Sequence, residues 1–80
     1  MSNLRVAIIM GSESDVDQMK PASDILNELK ISNEMRAISA HRTPERLKEY
    51  IVKSANDGVE IFIAGAGMAA ALPGVIAAYT

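Results

Sequence analysis

Residues 4–15 read LRVAIIMGSESD. Leu4 to Met10 is an almost continuous apolar run closed by Gly11, the pattern of a strand covered on both faces, as in a parallel sheet. The period then changes. Val16, Met19, Ile25, Leu26 and Leu29 recur at helical spacing and predict a helix with one apolar face. Pro21 falls within that stripe, where it lacks a backbone donor and crowds the preceding turn, so a kink or a late helix start is expected there.

The same order of strand, turn and helix repeats twice. Ile31–Ser39 (ISNEMRAIS) contains a short strand around Met35–Ile38. TPERLKEYIVKSANDG then predicts a helix with Leu47, Tyr50, Ile51 and Ser54 facing inward, Thr43 at the N-cap, Pro44 at the first helical position and Gly58 as the stop. VEIFIAGAG (59–67) is a third buried strand, and AAALPGVIAAYT opens a third helix around Pro73. Such alternation implies βαβ units, hence an α/β fold with a parallel sheet and right-handed crossovers.

Composition narrows the class. Eighty residues make at most one small domain, spanning 1–80. With 49% hydrophobic and 22% charged residues the chain is globular in composition. It has no cysteine, and so no disulfide framework and no thiolate nucleophile. A net charge of −2 with scattered basic residues argues against nucleic acid as the partner. No apolar run approaches the roughly 18–20 residues that span a bilayer, so no membrane partner is expected and a cytoplasmic location is. A third strand left as a bare apolar edge would be a liability. More chain beyond Thr80, or other subunits, is therefore expected to cover it.

Loops that follow the strands of an open parallel sheet all leave at its carboxyl end, where ligands bind. Here those loops are Gly11–Asp15, Ser39–Thr43 and Ala64–Met68. Ser12 and Ser14 bring hydroxyls to a helix start, a geometry suited to an anion; the competing reading is ordinary capping, with Asp15 and Asp17 complementing the dipole. A carboxylate repels phosphate, so Asp15 suits sugar hydroxyls better. Arg42, a cation just before a helix N-terminus, opposes the macrodipole unless an anion sits there or the side chain is simply solvated. His41, the one histidine, is either a surface group or a proton carrier at neutral pH. With no second histidine and no cysteine, no metal site is expected. AGAGMAA resembles half of a dinucleotide fingerprint, but after the wrong strand. It reads equally as a small-residue turn for close strand–helix packing, or as a backbone approach to a flat or carboxylated ligand.

Taken together and in order, MGSESD, SAHRTPERL and AGAGMAAALPGVIAA resemble the N5-carboxyaminoimidazole ribonucleotide mutases of purine biosynthesis, also described as the catalytic subunit of phosphoribosylaminoimidazole carboxylase. The resemblance runs from about Arg5 to Thr80. It implies a three-layer α/β/α sandwich of flavodoxin-like type, octameric assembly, and family chains roughly twice this length. By motif position it implies that Ser12, Asp15 and Arg42 bind the ribonucleotide. Ser12, Arg42 and Ser39 would lie near the 5′-phosphate, and Asp15 near the ribose. It implies His41 as general acid/base, and Ala64, Gly65, Ala66 and Gly67, on to Met68, as the pocket for the imidazole and its carboxyl group. The implied reaction moves a carboxylate from N5 to C4 through decarboxylation and recarboxylation, a lyase-like step within an isomerase, with no cofactor.

The chain departs from the usual AGAGGAAHLPG at Met68 and Ala71, which replace a glycine and a pocket histidine. The related carboxylases that use CO2 directly usually carry AHK, so Arg42 favours the mutase. Readings from other classes fit less well. A flavin site would want aromatics and fewer acids in the first loop, and a phospho-receiver needs an aspartate where Ala64–Gly65 stand. An inactive nucleotide-binding or oligomerising fragment is the remaining alternative.

Overall fold

In the computed structural model, residues 4–40, 42–66 and 71–80 are described. The order is β1 (Val6–Met10), a 3₁₀ turn (Glu13–Asp15), α1 (Val16–Glu28), β2 (Asn33–Ala37), α2 (Pro44–Asn56), β3 (Ile61–Gly65) and α3 (Ala71–Tyr79). The three strands form one parallel sheet in the order β2-β1-β3. That is the opening order of the flavodoxin-like doubly wound fold, with the strand order reversing between β1 and β3.

β1 is central, and every residue from Val6 to Met10 is buried. Its side chains alternate between two cores. Ile9 packs with Ile38, with Leu47 and Ile51 of α2, and with Leu72 and Ile76 of α3. Val6, Ile8 and Met10 pack with Val16, Met19, Ala22 and Leu26 of α1. One helix thus covers one face and two cover the other, giving the three-layer α/β/α arrangement. Among the described residues β3 pairs only with β1, and its first residue, Ile61, is 56% exposed.

Some local expectations change. β2 covers Asn33–Ala37, two residues earlier than its apolar content suggests, because Asn33 pairs with Val6 at the start of the ladder. Ile38 still donates its N–H to the Met10 carbonyl at 2.9 Å. α1 begins at Val16 and continues through Pro21. Pro21 is exposed, on the side of the helix away from the sheet, where water can solvate the Asp17 carbonyl that the missing N–H would have bonded. Ile25 and Leu29 do not join the inner face; they are 56% and 63% exposed. Ile25 lies about 100° round the helix from Leu26, and Leu29 is the C-cap, past the last helical residue.

Both long helices end in the same motif. After α2 the Val59 N–H donates to the Ser54 carbonyl (3.0 Å) and the Gly58 N–H to that of Ala55 (3.3 Å), with Gly58 at φ 112°. After α1 the Ile31 N–H donates to the Leu26 carbonyl (2.8 Å) and the Lys30 N–H to that of Asn27 (3.0 Å). These are Schellman endings, which need a left-handed residue after the cap. Lys30 holds that position at φ 60° without being glycine.

Polar bonds fix the helices to β2. Ser23 of α1 donates to Asn33 Oδ1 (2.6 Å), and Asn33 Nδ2 donates to Asn27 Oδ1 (2.8 Å). Tyr50 of α2 donates its hydroxyl to Glu34 Oε2 (2.7 Å), while Arg36 donates to Glu34 Oε1 (2.7 Å) and lies over the Tyr50 ring. Burial pushes the Tyr50 hydroxyl up to about 12, helped by its bond to the Glu34 carboxylate. For Glu34 burial works against ionisation, but the Tyr50 hydroxyl and the Arg36 guanidinium outweigh it and hold the carboxyl below its usual value.

Two stability predictions follow from these contacts, both for the intact protein carrying this sequence. Lys30→Gly removes left-handed strain of about 1–2 kcal/mol but adds unfolded-chain freedom of about 0.4–1 kcal/mol. The expected net is a stabilisation of about 0.5 kcal/mol, read as a higher urea midpoint with unchanged slope. Tyr50→Phe is expected to cost about 1 kcal/mol at neutral pH, the value of a partly solvated bond to a charged acceptor. Because the Glu34 carboxyl is depressed in the fold, that contribution is present above its ordinary value of 4.5 and disappears as pH falls through the folded value. Urea titrations of both forms should therefore converge in acid.

Candidate functional site

The strand register decides where the loops leave. Met10 pairs with Ala37 on one side and with Gly65 on the other. With strands about 4.8 Å apart, Gly11, Ile38 and Ala66 emerge side by side at one rim. The loops carrying Ser12 and Asp15, Ser39 and Arg42, and Ala64, Gly65 and Ala66 all belong to that rim. His41, Gly67 and Met68 lie outside the described residues.

In the first loop Ser12 is extended and exposed, and stands at the N-cap position of the 3₁₀ turn without making a side-chain cap. Its hydroxyl instead bonds that of Ser14. Asp15 stands at the N-cap of α1, again without a side-chain cap. It is half-buried, and its Oδ2 lies 4.0 Å from where a side chain on Gly11 would begin, so the carboxylate turns back over the end of β1. The side-chain cap of the capping reading is not made, since the backbone turn is closed by the Asp15 N–H to the Ser12 carbonyl (3.1 Å). Asp15 and Asp17 do, however, lie in the first turns of the 3₁₀ turn and of α1, where they complement the dipole.

The second loop is held by Ser39. Its hydroxyl accepts the Arg42 N–H at 3.0 Å. Its carbonyl accepts both the N–H (3.1 Å) and the hydroxyl (3.2 Å) of Thr43. Thr43 occupies the N-cap position of α2 as expected, but makes no side-chain cap, and Pro44 follows at the helix start. The Arg42 side chain is exposed. Among the described residues the ion pairs are Arg5–Glu60 and Arg36–Glu34, neither of which involves it.

In the third loop a side chain on Gly65 would run into Met19 of α1, whose Cε would be 2.8 Å away. Glycine there allows helix and strand to pack closely, the small-residue role that the sequence suggested. Ala66 and Ala40 pack on the opposite core, against the cluster that includes Ile9, Leu47 and Leu72.

The strand register therefore brings the loops that carry these hydroxyls, the Asp15 carboxylate and the Arg42 guanidinium to one rim, beside the first turns of α1 and α2. Both helix starts are positive dipole ends, and the hydroxyls and guanidinium are donors to an anion. Asp15 is the acceptor in the set. Among the described residues no three His, Cys, Asp or Glu side chains gather as a metal site requires, and no helix is long and apolar enough to cross a membrane. A cleft of about 760 Å³ lies at the opposite end of the sheet, lined by residues including Leu4, Leu26, Ile31 and Ile61. Its lining also carries Arg5, Lys30, Ser32 and Glu60, of which Arg5 and Glu60 pair with each other. The grouping that sequence reasoning missed is Glu34–Arg36–Tyr50; alternation of Glu and Arg along β2 was its only signal, and its contacts are structural.

Comparison with known proteins identifies the family. The model of the AIR carboxylase family matches residues 5–80. A protein named N5-carboxyaminoimidazole ribonucleotide mutase from Pyrococcus abyssi is 55% identical over 76 residues, which is 95% of this chain and 44% of the relative. Its namesake from Thermotoga maritima is 53% identical over 76 residues, again 95% of this chain and 44% of the relative. A protein named phosphoribosylaminoimidazole carboxylase from Schizosaccharomyces pombe is 52% identical over 75 residues, 94% of this chain and 14% of that much longer protein. The chain thus spans less than half the length of the curated relatives it matches. With the family model covering everything from Arg5 to Thr80, the chain belongs to the AIR carboxylase family.

Proposed function

We propose that the protein carrying this chain is an isomerase of purine biosynthesis that moves a carboxylate from N5 to C4 of N5-carboxyaminoimidazole ribonucleotide. The observation that carries the reading is the level exit of the three loops beside two helix starts whose cap-position side chains are not used as caps. Loops that follow the strands of a parallel sheet to its carboxyl rim are where such folds bind their ligands.

In this reading the Ser12 hydroxyl, Ser39 and the Arg42 guanidinium bind the 5′-phosphate, whose negative charge offsets the cation placed before α2. Asp15 accepts from ribose hydroxyls. The loop Ala64–Gly67 faces the imidazole and its carboxyl group. Phosphate binding far from the reacting atoms fixes the ring in position, so binding energy there assists the chemistry. N5 is protonated as its bond to the carboxylate breaks and CO2 is released. C4 then bonds to the trapped CO2, and its proton leaves. His41 shuttles the proton between the two positions, a task suited to an imidazole at neutral pH. No cofactor enters this scheme. The protein is further proposed to act in the cytoplasm as a homo-oligomer, an octamer.

A second reading is a direct carboxylation of aminoimidazole ribonucleotide by CO2, favoured by the likeness to the Schizosaccharomyces pombe protein named a carboxylase. Assay of the intact protein with each substrate separates the two. Conversion of the N5-carboxylated nucleotide without added CO2 is expected, and a requirement for CO2 would select the carboxylase.

His41→Asn is expected to keep ribonucleotide affinity while lowering turnover by about 10²–10⁴, the usual range for a lost proton-transfer group. Full activity in that variant would remove the imidazole from the mechanism. Arg42→Ala should weaken aminoimidazole ribonucleotide by about 10–100-fold, the loss of a hydrogen bond to a charged group. The dephosphorylated riboside should bind as before, and calorimetry with both ligands makes the comparison; equal losses would argue against a phosphate contact.

A further inference from the structure

Thr43 has the residue type and position of a helix cap, yet its hydroxyl points back into the loop. It donates to the Ser39 carbonyl at 3.2 Å, and the Thr43 N–H reaches the same oxygen at 3.1 Å. The Ser39 hydroxyl accepts the N–H of the intervening Arg42 at 3.0 Å. One serine therefore holds two successive residues, through its carbonyl and its hydroxyl, and Arg42 is gripped on both sides. Immediately afterwards Pro44 begins α2 with a fixed φ. The backbone bearing the guanidinium is thus pinned between a doubly accepting carbonyl and a rigid helix start. The side chain itself stays exposed, with neither of the described ion pairs holding it.

We infer that Thr43 is a positioning residue: its hydroxyl, through the Ser39 carbonyl, sets the direction from which Arg42 meets the anionic group of a phosphorylated ligand. This rests on the reading of Arg42 as a phosphate contact and extends it to a residue that touches no ligand. Helix capping would give Thr43 a purely structural role, and the two roles differ in what they do to binding. Loss of a cap weakens the fold and affects all ligands alike. Loss of positioning affects only ligands that carry the phosphate, and only while Arg42 is present.

The test uses the intact protein carrying this sequence, with aminoimidazole ribonucleotide and its dephosphorylated riboside as probes, and thermal melting to follow folding. Thr43→Val keeps the shape and removes the hydroxyl. It should weaken the ribonucleotide about tenfold, the order expected when a binding group is displaced by a fraction of an ångström to 1 Å. The riboside should change by less than about twofold. Thr43→Ser should restore ribonucleotide affinity, and Thr43→Ala provides a second hydroxyl-free form should the valine variant not fold. In an Arg42→Ala background the valine substitution should have almost no further effect on the ribonucleotide. If Arg42→Ala itself leaves ribonucleotide affinity intact, the phosphate reading falls and the positioning role with it. If Arg42→Ala weakens binding but the hydroxyl-free variants do not, the positioning role alone is overturned. It is also overturned if those variants weaken both probes equally, or if their effect persists without Arg42.

Discussion

The constraint on which the molecule depends is the register of β1 against its two neighbours. β1 is buried along its whole length, and Met10 pairs with Ala37 and Gly65 at the same level. A slip of a single residue would turn Ile9 and Ile8 toward the wrong cores. It would also move one loop up or down the rim by about 3.3 Å. Packing and site geometry are thus the same requirement. The side chains that hold the register, Val6, Ile8 and Met10 toward α1 and Ile9 toward α2 and α3, also hold Gly11, Ile38 and Ala66 side by side.

Much of this was legible because the signals were periodic. The run Leu4–Met10 is apolar without alternation, as a strand covered on both faces has to be. Leu47, Ile51 and Ser54 recur at helical spacing, and all are buried in α2. Where the reading failed, a contact that sequence does not display was in control. The extent of β2 was set by pairing with β1 and not by its own mixed composition. Ile25 and Leu29 are apolar but fall off the inner face of α1. Pro21 is tolerated because it lies on the solvated side. The Tyr50–Glu34 bond is a pairing between helix and strand residues that no local pattern announces.

At the rim, what could be read was residue type and place, but not the partner each side chain chose. Serine, threonine and aspartate before a helix ordinarily cap it; on that basis Thr43 reads as a cap and Ser12 as a candidate one, with Asp15 complementing the dipole. None of the three makes the side-chain cap bond. Ser12 bonds Ser14, Asp15 turns over Gly11, and Thr43 reaches back to Ser39. Gly65 shows the opposite outcome. A glycine in a loop at the carboxyl rim invites a functional explanation, yet the end of the Met19 side chain lies where a Cβ would go, so close helix–strand packing is a role it already has.

These partner choices have an electrostatic consequence. Each helix start carries roughly half a positive charge in its unbonded N–H groups, and capping oxygens would ordinarily offset part of it. Here α1 and α2 start at the same rim without side-chain caps, and the chain adds the Arg42 guanidinium there. A cation in that place costs about 0.3–1 kcal/mol at the surface. Stability alone would favour its removal, or an acidic residue at its position. Asp15 offsets some of the potential, but it sits at the start of α1, and no ion pair among the described residues joins it to Arg42. The loop that carries Arg42 is braced by three hydrogen bonds to a single serine. Bracing an unfavourable charge at the mouth of a helix makes physical sense when the opposing charge arrives from outside, and a phosphate monoester, dianionic and rich in acceptors, fits that description.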